Sequence, residues 1–259
     1  MGEGKMKEKE KALVVEGVSR FFGGVRAVDQ VSLILDTGMS TVMIGPNGAG
    51  KTTLFNLIAG VYPLDEGKIT LFGEDISKAS IQRRSELGLV RTYQTCNLFK
   101  ELTVEENLYL SLKNSPWGAS RGCLEPFLPW VSDKVRRERI EEICRVMQLE
   151  ALKDTLVLNM SHGQQRQLEL GMAIISDPKI ILFDEPMAGL SPTERVFIGE
   201  LIKKLAREKI ILVIEHDMDF AMSITDRIAV LDHGRLIKVG TPQEISRDPE
   251  VQKIYKLHG

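Results

Sequence analysis

Residues 41–60 read "TVMIGPNGAGKTTLFNLIAG", and this stretch decides the fold. Thr41 to Ile44 form a short buried strand, a glycine-rich turn follows, and "KTTLFNLIAG" is a helix that stops at Gly60. Gly45, Pro46, Asn47, Gly48, Ala49, Gly50, Lys51, Thr52 and Thr53 fit G-x-x-x-x-G-K-[ST] in the strand–turn–helix setting that a phosphate loop requires. The glycines let backbone N–H groups wrap a β-phosphate, and the helix N-terminus adds its dipole. Lys51 neutralises the β and γ oxygens, and Thr52 offers a hydroxyl to Mg2+.

Outward from this loop the chain alternates strands and helices. Upstream, "ALVVEGVSRFF" and "VSLILDT" are two strands separated by "GG", an antiparallel pair that opens the chain with a small β region. Downstream, "KIILFDE" (179–185) and "KIILVIEHD" (209–217) are continuous apolar runs, as in parallel strands buried on both faces. Helices at 192–207 and 217–224 separate and follow them. "RIAVLDHGRLIKVG" (227–240) is a hairpin turned at His233 and Gly234. The tail that follows it gives one or two short helices.

The carboxyl ends of those runs carry chemistry. Asp184 and Glu185 arrive where open α/β sheets place their ligands. Asp184 suits Mg2+ held through water, and Glu185 suits orienting or deprotonating an attacking water, because phosphoryl transfer asks a protein for positioning and charge stabilisation. His216 ends the next run in the same register, as a contact for a γ-phosphate.

Between 103 and 155 the pattern turns helical, with Leu108, Leu110 and Leu112, then Val135, Ile140, Ile143 and Met147 near helical spacing. This is an inserted helical subdomain. Within it "NSPWGASRGCLEPFLPW" (114–130) has the prolines and tryptophans of a loop or short turns.

Composition sets the outer bounds. With 259 residues, 43% of them hydrophobic and 27% charged, the chain can bury one large core with a subdomain. Lys+Arg of 34 against Asp+Glu of 36 leaves a net charge of -2, which gives no basis for bulk nucleic-acid binding. Cys96, Cys123 and Cys144 have no metal-like spacing and point to a reduced compartment. No run approaches the ~18 apolar residues of a spanning helix, so any membrane role goes through a partner.

One cluster remains. In "LNMSHGQQRQL" (158–168), Ser161 sits at an N-cap position, and Leu168, Met172 and Ile175 give the following helix an apolar face. A capped helix accounts for Ser161 but leaves Gly163 and Gln164 over, since a glycine in the first turn costs stability and permits close backbone approach. A helix N-terminus with a hydroxyl and bare backbone is also an anion site.

With these residues in place, the chain resembles the ATP-binding subunits of ABC transporters over nearly its whole length. "GPNGAGKTT", "IILFDE" and "EHD" match that family's Walker A, Walker B and switch-histidine motifs, and "MSHGQ" is similar to its signature, usually Leu-Ser-Gly-Gly-Gln. The resemblance implies an α/β P-loop NTPase: a mostly parallel core sheet, an N-terminal antiparallel β subdomain and an inserted helical subdomain. The expected organisation is a disordered stretch or tail over 1–11 and one ABC ATPase domain over 12–259, with the helical subdomain at approximately 95–178 inserted in the core. It implies ATP and Mg2+ as ligands, and a head-to-tail pair in which Ser161, Gly163 and Gln164 of one subunit close on ATP held by the other. Gln94 in "VRTYQT" resembles the Q-loop glutamine that touches Mg2+ and faces the membrane partner. Phe22 in "RFFGG" resembles the aromatic that stacks on adenine; Phe21 competes for that role, as does plain packing in the β core. Two departures stand out: His162 replaces the first signature glycine, and Ser191 stands where the family often has the D-loop aspartate.

"RTYQTCNLFKELTVEENL", "SHGQQRQLELGMAI" and "DEPMAGLSP" are similar to the larger ATPase of branched-chain amino-acid importers. That family implies a second ABC ATPase as homodimer or heterodimer partner, two transmembrane permease subunits, a separate substrate-binding protein and a peripheral place at the cytoplasmic face of the inner membrane. Related urea and short-amide importers also carry histidine in the signature. The motifs also fit a lipopolysaccharide-type exporter ATPase or a soluble ABC ATPase; the soluble kind commonly has tandem cassettes, coiled coils or basic linkers, which this sequence lacks.

Overall fold

The structure, a computed structural model, describes residues 12–92, 98–112 and 134–258. The expected tail at 1–11, Gln94, Cys96, Cys123 and the expected loop at 114–130 lie outside the described residues. The chain divides into two compact units: one runs to Arg91 and resumes at Lys179–Pro186 and Arg195–Gly259, the other spans Thr92–Pro178 and Met187–Glu194.

The first unit holds two sheets. Strands β1 (Ala12–Phe22), β2 (Val25–Asp36), β4 (Glu66–Leu71) and β5 (Glu74–Asp75) form an antiparallel sheet of order β2-β1-β4-β5. The other sheet has the order β10-β9-β3-β8-β7-β6, from β3 (Ser40–Ile44), β6 (Leu89–Arg91), β7 (Ile180–Asp184), β8 (Ile210–Ile214), β9 (Arg227–Asp232) and β10 (Arg235–Gly240). Its pairings are parallel except at the β9–β10 hairpin. There His233 (φ 45°) and Gly234 (φ 78°) both take the left-handed conformation that a tight two-residue turn needs. Every position of β3, β7 and β8 is buried, which is why these strands read as unbroken apolar runs.

Helix α1 (Lys51–Ala59) packs Leu54, Phe55, Leu57 and Ile58 into one apolar cluster with Leu33, Ile69, Leu182 and Leu212 of the two sheets. Nine residues are too few for an independent helix. Burial of each such side chain contributes about 1.5–3 kcal/mol, so packing holds this helix in place. Gly60 ends it in the left-handed conformation, as expected.

Arg84, from helix α2 (Ile81–Glu86), completes that end, a role no sequence motif signals. Although 2% exposed, it is held by backbone carbonyls: Nη1 donates to those of Leu57 (2.7 Å) and Ile58 (2.6 Å), and Nη2 to that of Ile76 (2.7 Å). Burial pushes its guanidinium down to about 10, and the last carbonyls of α1 are the compensation.

The second unit is helical: α3 (Val104–Leu112), α4 (Lys134–Val146) and α5 (His162–Ile174). Leu108, Leu112, Ile140, Ile143, Met147 and Leu168 are buried. Leu110 and Val135 are exposed, because a 3.6-residue period turns Leu110 away from the face shared by Leu108 and Leu112. Gly171 lets the helices approach: a Cβ there would lie 3.2 Å from both Ile143 and Met147. Arg139 caps α5, donating from Nε to the Ile175 carbonyl at 3.0 Å. The remaining helices are α6 (Pro192–Ala206), α7 (Met218–Ile224), α8 (Pro242–Arg247) and α9 (Pro249–His258).

Candidate nucleotide site

In the first unit, strand register brings the expected residues to one edge. β3 pairs with β8, Met43 opposite Ile214, and β7 pairs with β8, Asp184 opposite Ile214. The phosphate loop, Asp184–Glu185 and Glu215–His216 therefore leave the carboxyl ends of three adjacent strands at one level. Two bonds continue the ladder past the strands: the Glu185 N–H donates to the Ile214 carbonyl (3.1 Å) and the Glu215 N–H to that of Met43 (3.2 Å). Glu185 sits at φ 46°, a left-handed conformation rare for a non-glycine residue. His216 is exposed at this edge, whereas Glu215 is buried.

Close backbone approach shapes the loop. A Cβ at Gly45 (φ 155°) would lie 2.1 Å from the Leu231 carbonyl oxygen, and one at Gly50 (φ 98°) 2.3 Å from that of Ala27. The Gly234 N–H donates to the Ala49 carbonyl (3.0 Å), and the Asp29 N–H to the Gly234 carbonyl (2.8 Å), so β2 and the β9–β10 turn form the floor of the loop. Asp29 locks that floor by accepting from Arg235 Nε (2.8 Å) and Arg26 Nη1 (3.1 Å). Lys51 is buried in the curl of the loop, donating to the carbonyls of Gly45 (2.7 Å) and Pro46 (2.9 Å). Burial lowers its ammonium pKa, while Glu185 and Asp184 act in the opposite direction. Asn47, Gly48 and Thr52 are exposed, and Thr53 is half-buried.

Three further residues of this site belong to no motif. Arg91 Nη2 donates to Asp184 Oδ2 at 2.8 Å, and its Nη1 donates to Asn56 Oδ1. An arginine ending a short apolar strand, β6, beside β7 is the one signal the sequence offers for it. Tyr255 of α9 places a buried hydroxyl by the Gly45 backbone amide; burial pushes its phenol up to about 12. Nothing local in the sequence joins residue 255 to residue 45.

Phe22 is 39% exposed, its ring 5.4 Å edge-on from Tyr62 and its face 4.8 Å from the Arg20 guanidinium. Phe21 is half-buried with the Arg26 guanidinium 5.5 Å from its ring. For Mg2+ the described donors are hard oxygens of the right kind, the Thr52 hydroxyl and the Asp184 carboxylate. Gln94 lies outside the described residues, and no cluster of three or more His, Cys, Asp or Glu side chains suited to a metal occurs among those described.

In the second unit Ser161 caps α5. Its Oγ accepts from the Gln164 N–H (3.3 Å), and Gln164 Oε1 accepts from the Ser161 N–H (2.9 Å). This reciprocal box corrects the expectation that capping leaves Gln164 unexplained: it is the other arm of the cap. Gly163 is buried, and Ser161 and His162 are exposed.

A family model described as ABC transporter matches residues 28–188. The chain is 38% identical over 252 residues to the high-affinity branched-chain amino acid transport ATP-binding protein LivG of Salmonella typhimurium, covering 94% of this chain and 96% of that protein. It is 37% identical over 246 residues to the corresponding ATP-binding protein BraF of Pseudomonas aeruginosa, with the same two coverages. Among solved structures, the ADP conformation of an ATP-binding cassette of an ABC transporter superposes with a TM-score of 0.81 at 32% identity, over 95% of this chain and 98% of that one. With a phosphate loop, a paired Asp-Glu strand end and these relatives along almost its full length, the chain belongs to the ABC transporter family.

Proposed function

We propose that this chain is the motor of an importer for branched-chain or other hydrophobic amino acids. Family membership makes it an ATPase whose hydrolysis is coupled to transport. The amino-acid cargo rests on the likeness to LivG and BraF, because the nucleotide site is built for phosphate.

The observation that carries the mechanism is the common edge of β3, β8 and β7. There the loop amides and Lys51 hold the β- and γ-phosphates, Glu185 takes a proton from the attacking water, and His216 contacts the γ-phosphate. Thr52, Asp184 and Gln94 would hold Mg2+, which when bound neutralises charge on the phosphate oxygens. Phe22 stacks on adenine. Ser161, Gly163 and Gln164 complete the site of a second ATPase subunit, and the helical unit passes closure through Gln94 to two permease subunits fed by a binding protein. In this assembly the chain lies peripherally at the cytoplasmic face of the inner membrane. No described helix is long and apolar enough to cross a membrane.

The test is sedimentation of the Glu185→Gln protein with and without ATP, alone and with a neighbouring ATPase if one is encoded. An ATP-dependent dimer lost on Ser161→Arg supports the shared site; ATP-bound monomer in every mixture counts against it. His162 favours a second reading, a urea or short-amide importer. Uptake of labelled leucine and of labelled urea in a strain lacking the gene separates the two.

A further inference from the structure

Glu194 joins two segments of the helical unit. Its Oε2 accepts from the Ser191 N–H (2.8 Å) and from Ser191 Oγ (2.7 Å), and the Glu194 N–H returns to Ser191 Oγ at 3.4 Å. This is a capping box at the start of α6. The other carboxylate oxygen reaches the signature segment: a Cβ built on Gly163 would lie 1.6 Å from Glu194 Oε1 and 2.3 Å from its carboxyl carbon. The carboxylate therefore fills the space that any side chain at residue 163 would need. A reciprocal contact runs the other way, because a Cβ on Gly189 would lie 2.8 Å from His162 Nε2. The two unusual residues of the sequence, His162 and Ser191, thus belong to one arrangement. His162 covers Gly189, and Ser191 holds the carboxylate that covers Gly163.

That carboxylate is charged at neutral pH. The side-chain and backbone bonds from Ser191 hold it below the usual range for glutamate, and His162 pulls in the same direction.

We propose that Glu194 sets the ATP requirement for subunit pairing, as a fixed negative charge beside the signature backbone that a phosphate from the facing subunit must approach. This rests on the shared-site reading given under Proposed function. A cap needs an acceptor at this position, and glutamine supplies one in the same geometry without the charge. Glutamate adds a charge that repels the incoming phosphate, so a pair closes only when the nucleotide supplies enough other contacts. At a few ångströms, in the dielectric of a protein surface, such a repulsion changes an equilibrium by about tenfold or more, and salt screens it.

The test exploits that separation of cap from charge. ATP-dependent dimerisation of Glu185→Gln is compared with that of Glu185→Gln/Glu194→Gln by light scattering, at low and high ionic strength, with melting curves recorded alongside. Expected are melting temperatures within a few degrees of each other, the double variant slightly lower, a half-saturating ATP concentration about tenfold lower without the Glu194 charge, and a gap that closes as salt rises. Unchanged or raised ATP requirement in the double variant overturns the proposal, as does a gap that salt leaves intact. If both proteins bind ATP and neither dimerises, the shared-site reading falls and the proposal falls with it. Two flat curves distinguish that outcome from two coincident rising ones.

Discussion

Arg91 and Asp184 form an ion pair with 2.8 Å between Nη2 and Oδ2, and each side chain is only 7% exposed. The pair links the carboxyl end of β6 to that of β7, and through Asn56 it reaches α1 behind the phosphate loop. Arg91→Met removes the hydrogen-bonded cation beside a buried carboxylate and leaves Lys51 to offset its charge from farther off, at a cost of up to about 3–5 kcal/mol. For a chain of this size that lowers the melting temperature by roughly 10 °C, which calorimetry measures. Arg91→Lys recovers part of this, since an ammonium restores the charge without the two-pronged reach to Asn56 and Asp184.

Two loop glycines respond differently to alanine. At Gly45 the new Cβ would meet the Leu231 carbonyl oxygen at 2.1 Å, so the loop must shift off β9; Gly45→Ala lowers the melting temperature and removes ATP binding. At Gly48 (φ 82°) no atom lies within 4 Å of the Cβ, leaving only the left-handed conformation, worth about 1–2 kcal/mol. Gly48→Ala therefore melts closer to the parent. Thermal melts and a fluorescent-nucleotide titration of both variants check the order.

The Arg235 guanidinium beside Asp29 holds its carboxyl below the usual carboxylate range, with Arg26 assisting against partial burial. A folded-state pKa below the unfolded one gives stabilisation that is complete above the ordinary value of about 4 and lost as pH falls through the lower folded value. Asp29→Asn lowers the melting temperature at pH 7 and flattens its acid dependence below about pH 4. Melting curves of parent and variant across that range are the measurement.

Cys144 is buried in the helical unit, and desolvation pushes its thiol up to about 11. In the native protein at pH 8 an alkylating reagent leaves Cys144 unmodified, and in denaturant it modifies it fully. Peptide mapping by mass spectrometry reads Cys144 apart from the other two cysteines.

The core strands and the nucleotide loop are legible because their signals are local. "TVMIGPNGAGKTT" carries strand, turn and helix start in consecutive residues, and "KIILFDE" and "KIILVIE" are apolar throughout because β7 and β8 are covered on both faces. Leu110 does not join the apolar face expected of it, because alternate leucines in a short segment fit more than one period. Gln164 is legible as the second arm of the cap, because Ser161-x-x-Gln164 has the Ser-x-x-Gln spacing of a capping box, a signal that the anion-site reading of the same residues overshadows.

The sequence by itself determined the α/β class, the phosphate loop, the Asp184–Glu185 strand end and the family, since each is written in adjacent residues whose types admit few readings. Only the tertiary structure decided which distant groups meet: Arg91 with Asp184, Arg84 with the end of α1, Tyr255 with Gly45, and Glu194 with Gly163. Such contacts join residues up to 210 positions apart or fill the space a glycine leaves. Their free energy depends on burial and on angles between elements, which periodicity and propensity do not carry.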